Sequence, residues 1–377
     1  MAPPRSRTRL AFIDAARAAA MLVMLQGHSA DNLLVEAAKA TPFFELYWRV
    51  RGITAPLFLV LSGFALVVAS DARWEEYGEL GRPLARRLTR SAQILAVGFL
   101  LQMPRWTGDL PFDFTAAEWR HLFRSGVLQV IAVGLASAHA LLAAFRSRRS
   151  FARAAVALGM ALFALTPLLA QPWVRLPTGL SLLLTFDSGS IFPMAPSLGY
   201  FFFGLAAGRL FLDRPDRFPD ARRFGAAVLM AGAALFAAGF LWDLAQPAPF
   251  VDRAHYFSAP TLLLMRLGGA FGVFAIFALA LNEARSWRWL SFVSGRALSI
   301  YVAHLVVLYG PPAHFELGLI ARVGATVPPS RIFFAGPALF LVCVASVFLL
   351  SKSARWMSGA WGWLGRGREV SSPRPEP

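Results

Sequence analysis

Ten apolar runs of roughly lipid-spanning length dominate this 377-residue chain, at about 10–27, 53–70, 88–103, 126–145, 154–170, 196–212, 224–242, 258–281, 290–309 and 331–350. Crossing a hydrocarbon layer takes ~20 consecutive apolar residues as a helix, because the backbone there must satisfy its own hydrogen bonds. With 57% hydrophobic and 15% charged residues, composition supports the same class. The expected fold is therefore an all-α polytopic membrane protein of ten transmembrane helices. The stretch around Leu180 to Phe186 is too short to cross unaided and reads as an interfacial or re-entrant piece, which leaves eleven open.

Arginines alternate between loops and set an expected orientation. Arg5, Arg7 and Arg9 precede the first run; Arg82, Arg86, Arg87 and Arg90 the third; Arg146, Arg148, Arg149 and Arg153 the fifth. The same side receives Arg209, Arg214, Arg217, Arg222 and Arg223, then Arg285 and Arg288, then Lys352 and the tail. That side is expected to be cytoplasmic, with both termini on it, in the cell's inner (cytoplasmic) membrane. The formal charge of +16 is then a topology signal and an attraction to the anionic bilayer surface, with no nucleic acid required as partner. Tryptophans, including Trp48, Trp74, Trp173, Trp242, Trp287 and Trp289, fall at or beyond run ends, where headgroup-level anchoring is expected. The first run is interrupted by Asp14 and Arg17 and is expected to persist as a helix rather than be cleaved as a signal. Residues 1–365 are expected to form one transmembrane domain and 366–377 a disordered cytoplasmic tail.

Arg17 and His28 stand out because they occupy one otherwise apolar stretch, eleven residues apart. That spacing places both on one helix stripe, separated by ~16 Å of rise. Charge at membrane depth is expensive, so the pair suggests a polar path through the bilayer, against a plainer reading in which Arg17 snorkels and His28 sits at the interface. Asp31, three residues past His28, would orient the ring if the helix continues; an exposed loop aspartate is the alternative. His304, about fourteen residues into the ninth run, is expected near the depth of His28, with Tyr301 and Ser299 on the same segment. Gln129 and Asn282 read as ordinary interhelical or interfacial hydrogen-bonders, and Arg266 as an intramembrane charge that lines a path. Cys343 reads as inert packing. The remaining histidines, His121, His139, His255 and His314, are scattered without zinc-ligand spacing, so no metal is expected.

The opening RLAFIDAARAAAMLVMLQGH, followed by APLFLVLSGFAL, resembles the transmembrane acyltransferase superfamily, which includes acyltransferase-3 and heparan-alpha-glucosaminide N-acetyltransferase-like proteins. Arg17-x10-His28 resembles its first-helix motif; Pro56, Ser62, Gly63 and Phe64 its second-helix motif; Arg87-x-x-Arg90 its third-helix motif. SGVLQVIAVGL around Gln129, FPMAPSLGYFFFGLAAGRL from Phe192 and SGRALSIYVAH ending at His304 are similar to the glucosaminide branch. The first motif departs at Ala18, where members commonly carry glycine.

The resemblance implies transfer of an acyl group, usually acetyl, from cytoplasmic acyl-CoA to a sugar or glycan acceptor on the other face. It implies catalytic roles for His28, Arg17 and His304 and a donor mouth formed by Arg82, Arg86, Arg87 and Arg90. The residues suit that chemistry independently: guanidinium forks match phosphate oxygens, and a neutral imidazole can take a proton from an acceptor or carry the acyl group itself. The rival reading is a proton-coupled transporter or flippase of a small metabolite or lipid-linked sugar, although no inverted repeat supports it.

Overall fold

The computed structural model describes residues 10–77, 81–103, 115–171, 173–186, 189–246, 257–281, 287–311 and 315–366, with side chains to residue 353. Among these residues there is no strand; an isolated bridge pairs Leu34 with Val327. The helices are α1 (Ala11–Leu33), α2 (Glu36–Lys39), α3 (Pro42–Arg51), α4 (Thr54–Ser70), α5 (Arg82–Leu101), α6 (Ala116–Phe123), α7 (Val127–Ala144) and α8 (Arg148–Leu169). They continue with α9 (Thr178–Leu184), α10 (Met194–Asp213), α11 (Ala221–Leu244), α12 (Pro260–Ala280), α13 (Arg288–Gly295), α14 (Ala297–Tyr309), α15 (Leu319–Val323) and α16 (Pro329–Arg366).

Each of the ten apolar runs is helical, but their lengths and apolarity are unequal. Seven helical segments among the described residues are long and apolar enough to cross a membrane, or eight if α13 and α14 count as one broken span. α1 and α5 are 23 and 20 residues long but carry more polar groups, Asp14, Arg17, Gln26 and His28 in one and four arginines in the other. The ninth run is not one straight helix: α13 and α14 meet at a 69° bend after Gly295, a residue that adds little to helix persistence. α9 has seven residues, too few to cross, as expected. The chain is a multi-pass membrane protein.

Close approach between helices is bought with small residues, since lipid gives little hydrophobic drive for helices to associate. Where α4 crosses α10, a Cβ on Gly63 would collide with the carbonyl oxygen of Phe201, and one on Gly204 with that of Val60. Beside this crossing, Phe12, Phe64, Phe211, Phe224 and Phe274 are fully buried; Phe12 meets Phe274 edge-on at 5.5 Å. A second apolar cluster joins α1 to α13, α14 and α16 through Met21, Leu25, Ile300, Leu308 and Cys343, which is wholly buried. Gln26 clamps α1 to α16, donating to the carbonyl of Ile332 at 3.0 Å and accepting from the amide of Gly336 at 3.0 Å.

α4 connects two polar ends of the bundle. Its first end adjoins Arg51, which is paired with Asp31 of α1; its last turn leads to Asp71, paired with Arg209 at 2.5 Å. Arg209 is 1% exposed, binds Asp213 as well, and lies over the Trp74 ring at 5.1 Å. Arg148 approaches Asp71 at 3.5 Å and the same ring at 5.7 Å. Trp74 is therefore no headgroup anchor: it is buried and its indole N–H donates to the carbonyl of Arg146 at 2.9 Å.

Candidate functional site

At the Arg51 end of the bundle, α1 continues past His28 to Leu33, so Asp31 and Asn32 lie one turn beyond the imidazole on the same helix. Asn32 Nδ2 donates to the carbonyl of His28 at 2.8 Å and to Tyr309 Oη at 3.0 Å. Tyr309 Oη lies 3.5 Å from His28 Nδ1. Across the interface with α14, the ring centroids of His28 and His304 are 5.3 Å apart, and Tyr301 meets His304 at 5.0 Å. His304 is fully buried, and neither ring nitrogen has a hydrogen-bond partner among the described residues. Two imidazoles thus stand side by side, His28 within reach of the Tyr309 hydroxyl at Nδ1, a hydroxyl that itself accepts from the Asn32 amide, and His304 held by packing.

Asp31 does not orient His28. Both its carboxylate oxygens accept from Arg51, and its carbonyl accepts from Lys39 Nζ at 2.6 Å. The Arg51 guanidinium lies against Gly27, where a Cβ would leave it no room. The effect is to tie α3 and the start of α4 to α1 beside the imidazoles, with one carboxylate balancing one guanidinium.

The opposite end of α4 leads to the start of α5. Gly81 is the N-cap and Pro83 occupies the first turn. Arg82 and Arg86 line a shallow, open surface groove with Ala85, Thr89 and Gln93, all on a single stripe of α5. Arg87 does not line it; it is half-buried, within electrostatic range of His139 on α7. Arg90 is exposed away from the groove. The structure therefore splits the four expected arginines and brings Arg82 and Arg86 together. Arginines at a helix N-terminus stand against the positive end of the backbone dipole, so the whole turn is stabilised by an anion.

Arg17 is half-buried in α1, ~16 Å of rise from His28, on the same stripe but outside the imidazole cluster. Gln129 donates to Gln102 at 2.5 Å, an interhelical hydrogen bond of the ordinary kind expected. His139 Nδ1 lies 2.5 Å from the carbonyl of Leu135, and His121 sits on α6. His255, His314 and Asn282 lie outside the described residues, as does the tail from residue 367. Among the described residues no group of three His, Cys, Asp or Glu side chains is placed to hold a metal. Tyr309, Asn32 and Arg51 were not singled out by sequence reasoning. Asn32 alone carried a local signal, its four-residue spacing from His28 on a helix; the others reach the site through tertiary contacts.

Residues 9–236 match the family described as heparan-alpha-glucosaminide N-acetyltransferase, catalytic. No curated protein matches the chain. The matched segment contains His28, Arg51 and the α5 groove, whereas His304 and Tyr309 lie beyond it.

Proposed function

The chain belongs to the heparan-alpha-glucosaminide N-acetyltransferase catalytic family, and we propose from that premise that it moves an acetyl group from cytoplasmic acetyl-CoA to a sugar at the opposite membrane face. In this reading ten helices cross, α1 and α5 included, their polar groups facing the protein interior. Both termini and the α5 groove are cytoplasmic by the arginine distribution, and the imidazole pair is outward. The membrane is the cell's inner one.

The observation that carries the proposal is the His28–His304 pair, ring centroids 5.3 Å apart, at the Arg51 end of α4, whereas Arg82 and Arg86 follow its other end. Acetyl-CoA has a polyanionic nucleotide and a long thin pantetheine arm. Arg82 and Arg86 bind its phosphates, with Thr89 and Gln93 along the same stripe, and the arm carries the thioester towards the imidazoles. The Tyr309 hydroxyl, itself held by the Asn32 amide, meets His28 at Nδ1, which leaves Nε2 to take the proton of the acceptor amine or hydroxyl as it attacks the thioester carbonyl carbon. The new N–C or O–C bond forms, the C–S bond breaks, and the CoA thiolate leaves, taking up a proton. His304 packs against His28 and excludes water from the reacting atoms. Arg17 lies between the two ends on the His28 stripe and draws the anionic donor along the path.

The test is to supply labelled acetyl-CoA to sealed inside-out vesicles containing the protein, with glucosamine trapped in the lumen. Luminal N-acetylglucosamine and external CoA are the expected products. Solute movement without CoA release identifies a transporter and removes the reading.

A further inference from the structure

Behind the first helix, on the side away from the imidazole pair, α1, α3 and α16 bound an apolar cavity of about 270 Å³. Gln26, Ala30 and Leu34 form its back wall, a single stripe of α1 with ~12 Å of rise. His28 is two residues from both Gln26 and Ala30, and so leaves the helix roughly 160° round from either. Its ring meets His304 and Tyr309 of α14, neither of which lines the cavity. The cavity is therefore separate from the site described above. Tyr47 stands between the two: it lines the cavity, and its ring centroid lies 5.8 Å from the guanidinium carbon of Arg51.

The wall offers a polar occupant a single group. The Gln26 amide is engaged at both ends by α16, and Thr41 Oγ1 donates to the carbonyl of Ala38 at 2.7 Å. The Tyr47 hydroxyl is buried and has no hydrogen-bond partner among the described residues. A space of this size would hold several waters, each needing about 2–4 polar partners, and one hydroxyl cannot supply them. A sugar fails for the same reason. Hydrocarbon fits, and the mouth faces it: Phe43 and Phe333, which line the cavity, are 66% and 55% exposed, and Leu46, Val50 and Phe334 are exposed near them. On a multi-pass membrane protein such a surface meets lipid chains. The cations of this region are paired with carboxylates, Lys39 with Glu36, Arg49 with Glu45 and Arg51 with Asp31, so the surroundings select no anionic headgroup.

We propose that this cavity seats one acyl chain of a neutral diacyl phospholipid, whose ester carbonyl accepts a hydrogen bond from the Tyr47 hydroxyl. The chain lies along the Gln26–Ala30–Leu34 stripe and completes the packing of α3 against α1 and α16, where the protein alone leaves its lining atoms without contacts on one side. The lipid is a structural component and takes no part in acyl transfer, so the inference stands independently of the reading at His28.

The experiment uses the full chain in nanodiscs of phosphatidylcholine doped with a phosphatidylcholine that carries a diazirine midway along one chain, with cross-links mapped by peptide mass spectrometry. The readout is the ratio of labelling at Phe44, Tyr47 and Ile332 to labelling at Met230 and Leu241, exposed apolar residues of α11 that report ordinary bilayer contact. The wild type is expected to favour the cavity by about tenfold, and Tyr47→Phe to lower that preference roughly two- to tenfold through loss of one hydrogen bond. Ala38→Trp, which puts a ring into the cavity, is expected to bring the ratio near one, and Ala30→Leu, a smaller filler, to move it the same way. Delipidation is expected to lower the unfolding temperature of the wild type more than that of Ala38→Trp, which also shows that the filled protein folds. Equal labelling of the two regions in the wild type overturns the seat, since the lipid there is then ordinary boundary lipid; so does a ratio that neither filler moves. Displacement of the probe by a polyprenyl phosphate but not by an equal amount of unlabelled phosphatidylcholine, or cross-linking of this face to a second copy of the chain, overturns the phospholipid assignment.

Discussion

The ring of His28, from the first helix, stands 5.3 Å from the ring of His304, from the short helix that follows the 69° bend. This contact joins the family-matched segment, residues 9–236, to a part of the chain beyond it. It places two titratable side chains where an isolated one would be an ordinary interfacial residue. The bend after Gly295 sets how far α14 reaches, and Tyr309, the last residue of that helix, comes to His28 Nδ1 as a result.

Replacing His28 with alanine is expected to leave the protein inserted at wild-type level and to lower acetyl transfer by about 10²–10⁴-fold, the range for loss of a general base. The expected effect of His304→Ala is smaller, because that ring packs against the base rather than receiving the proton. Transfer of label to glucosamine by purified variants measures both. Normal turnover in a properly inserted His28→Ala protein would falsify the catalytic assignment.

Tyr309→Phe keeps the ring and removes the hydroxyl that bridges Asn32 to His28. A hydrogen bond of this kind contributes about 0.5–1.5 kcal/mol, so kcat is expected to fall roughly two- to tenfold with KM for acetyl-CoA little changed. Asn32→Ala is expected to act in the same direction, and the double variant to cost less than the product of the two, since both act through one imidazole. Independent, multiplicative losses would mean that the two residues do not act together.

The lipid-length runs were legible because a membrane forces every crossing segment to announce itself in apolar residues, and all ten are helical, the ninth as two helices across a bend. The depth of His304 was legible by counting from Leu290, but its contact with His28 was not, because Ser294-Gly295-Arg296 interrupts the apolar run without specifying the 69° angle that brings the two rings together. Asp31 was read as a ring-orienting candidate on local spacing; Arg51, twenty residues on, takes it instead. Trp74 looked like an interface anchor by position, yet a buried ion cluster around Arg209 encloses it. The sequence motif selects Arg87 and Arg90, whereas helix geometry puts Arg82 and Arg86 on the groove stripe.

That difference can be measured. Charge-assisted hydrogen bonds contribute about 1.5–3 kcal/mol each in enclosed sites, and less on an open groove. Changing Arg82 and Arg86 together to glutamine is expected to raise the dissociation constant for acetyl-CoA by about tenfold or more in calorimetry, with Arg90→Gln causing a much smaller change. The reverse ranking would return the donor site to the motif arginines.

The Asp71–Arg209–Asp213 cluster is expected to hold the fold rather than the substrate. Arg209→Ala leaves two carboxylates against a buried cavity, a loss of the order of 3–5 kcal/mol for a buried pair, discounted because Asp71 and Asp213 are about one-third exposed (30% and 34%). The expected readout is a lower unfolding temperature in detergent, with kcat per folded molecule unchanged. A stable Arg209→Ala protein that no longer turns over would instead connect this cluster to the donor path.

Orientation decides whether donor and acceptor meet across the membrane at all. Ala40 and Gly81 are exposed residues, one just past α2 near the imidazole end, the other capping α5 at the arginine end. Cys343 is wholly buried, and replacing it with alanine removes the native thiol from the background. In that background Ala40→Cys is expected to react with an impermeant thiol reagent in intact cells, and Gly81→Cys only after permeabilisation, if the positive-inside rule places the arginine-rich loop in the cytoplasm as proposed. One candidate span, containing α4, lies between them, so on the proposed topology the two labels are expected on opposite faces, and the pair reports orientation without reference to activity. Labelling of both thiols from the same side contradicts the cross-membrane route, because His28 and the Arg82–Arg86 groove would then share one compartment and no acyl group would need to cross.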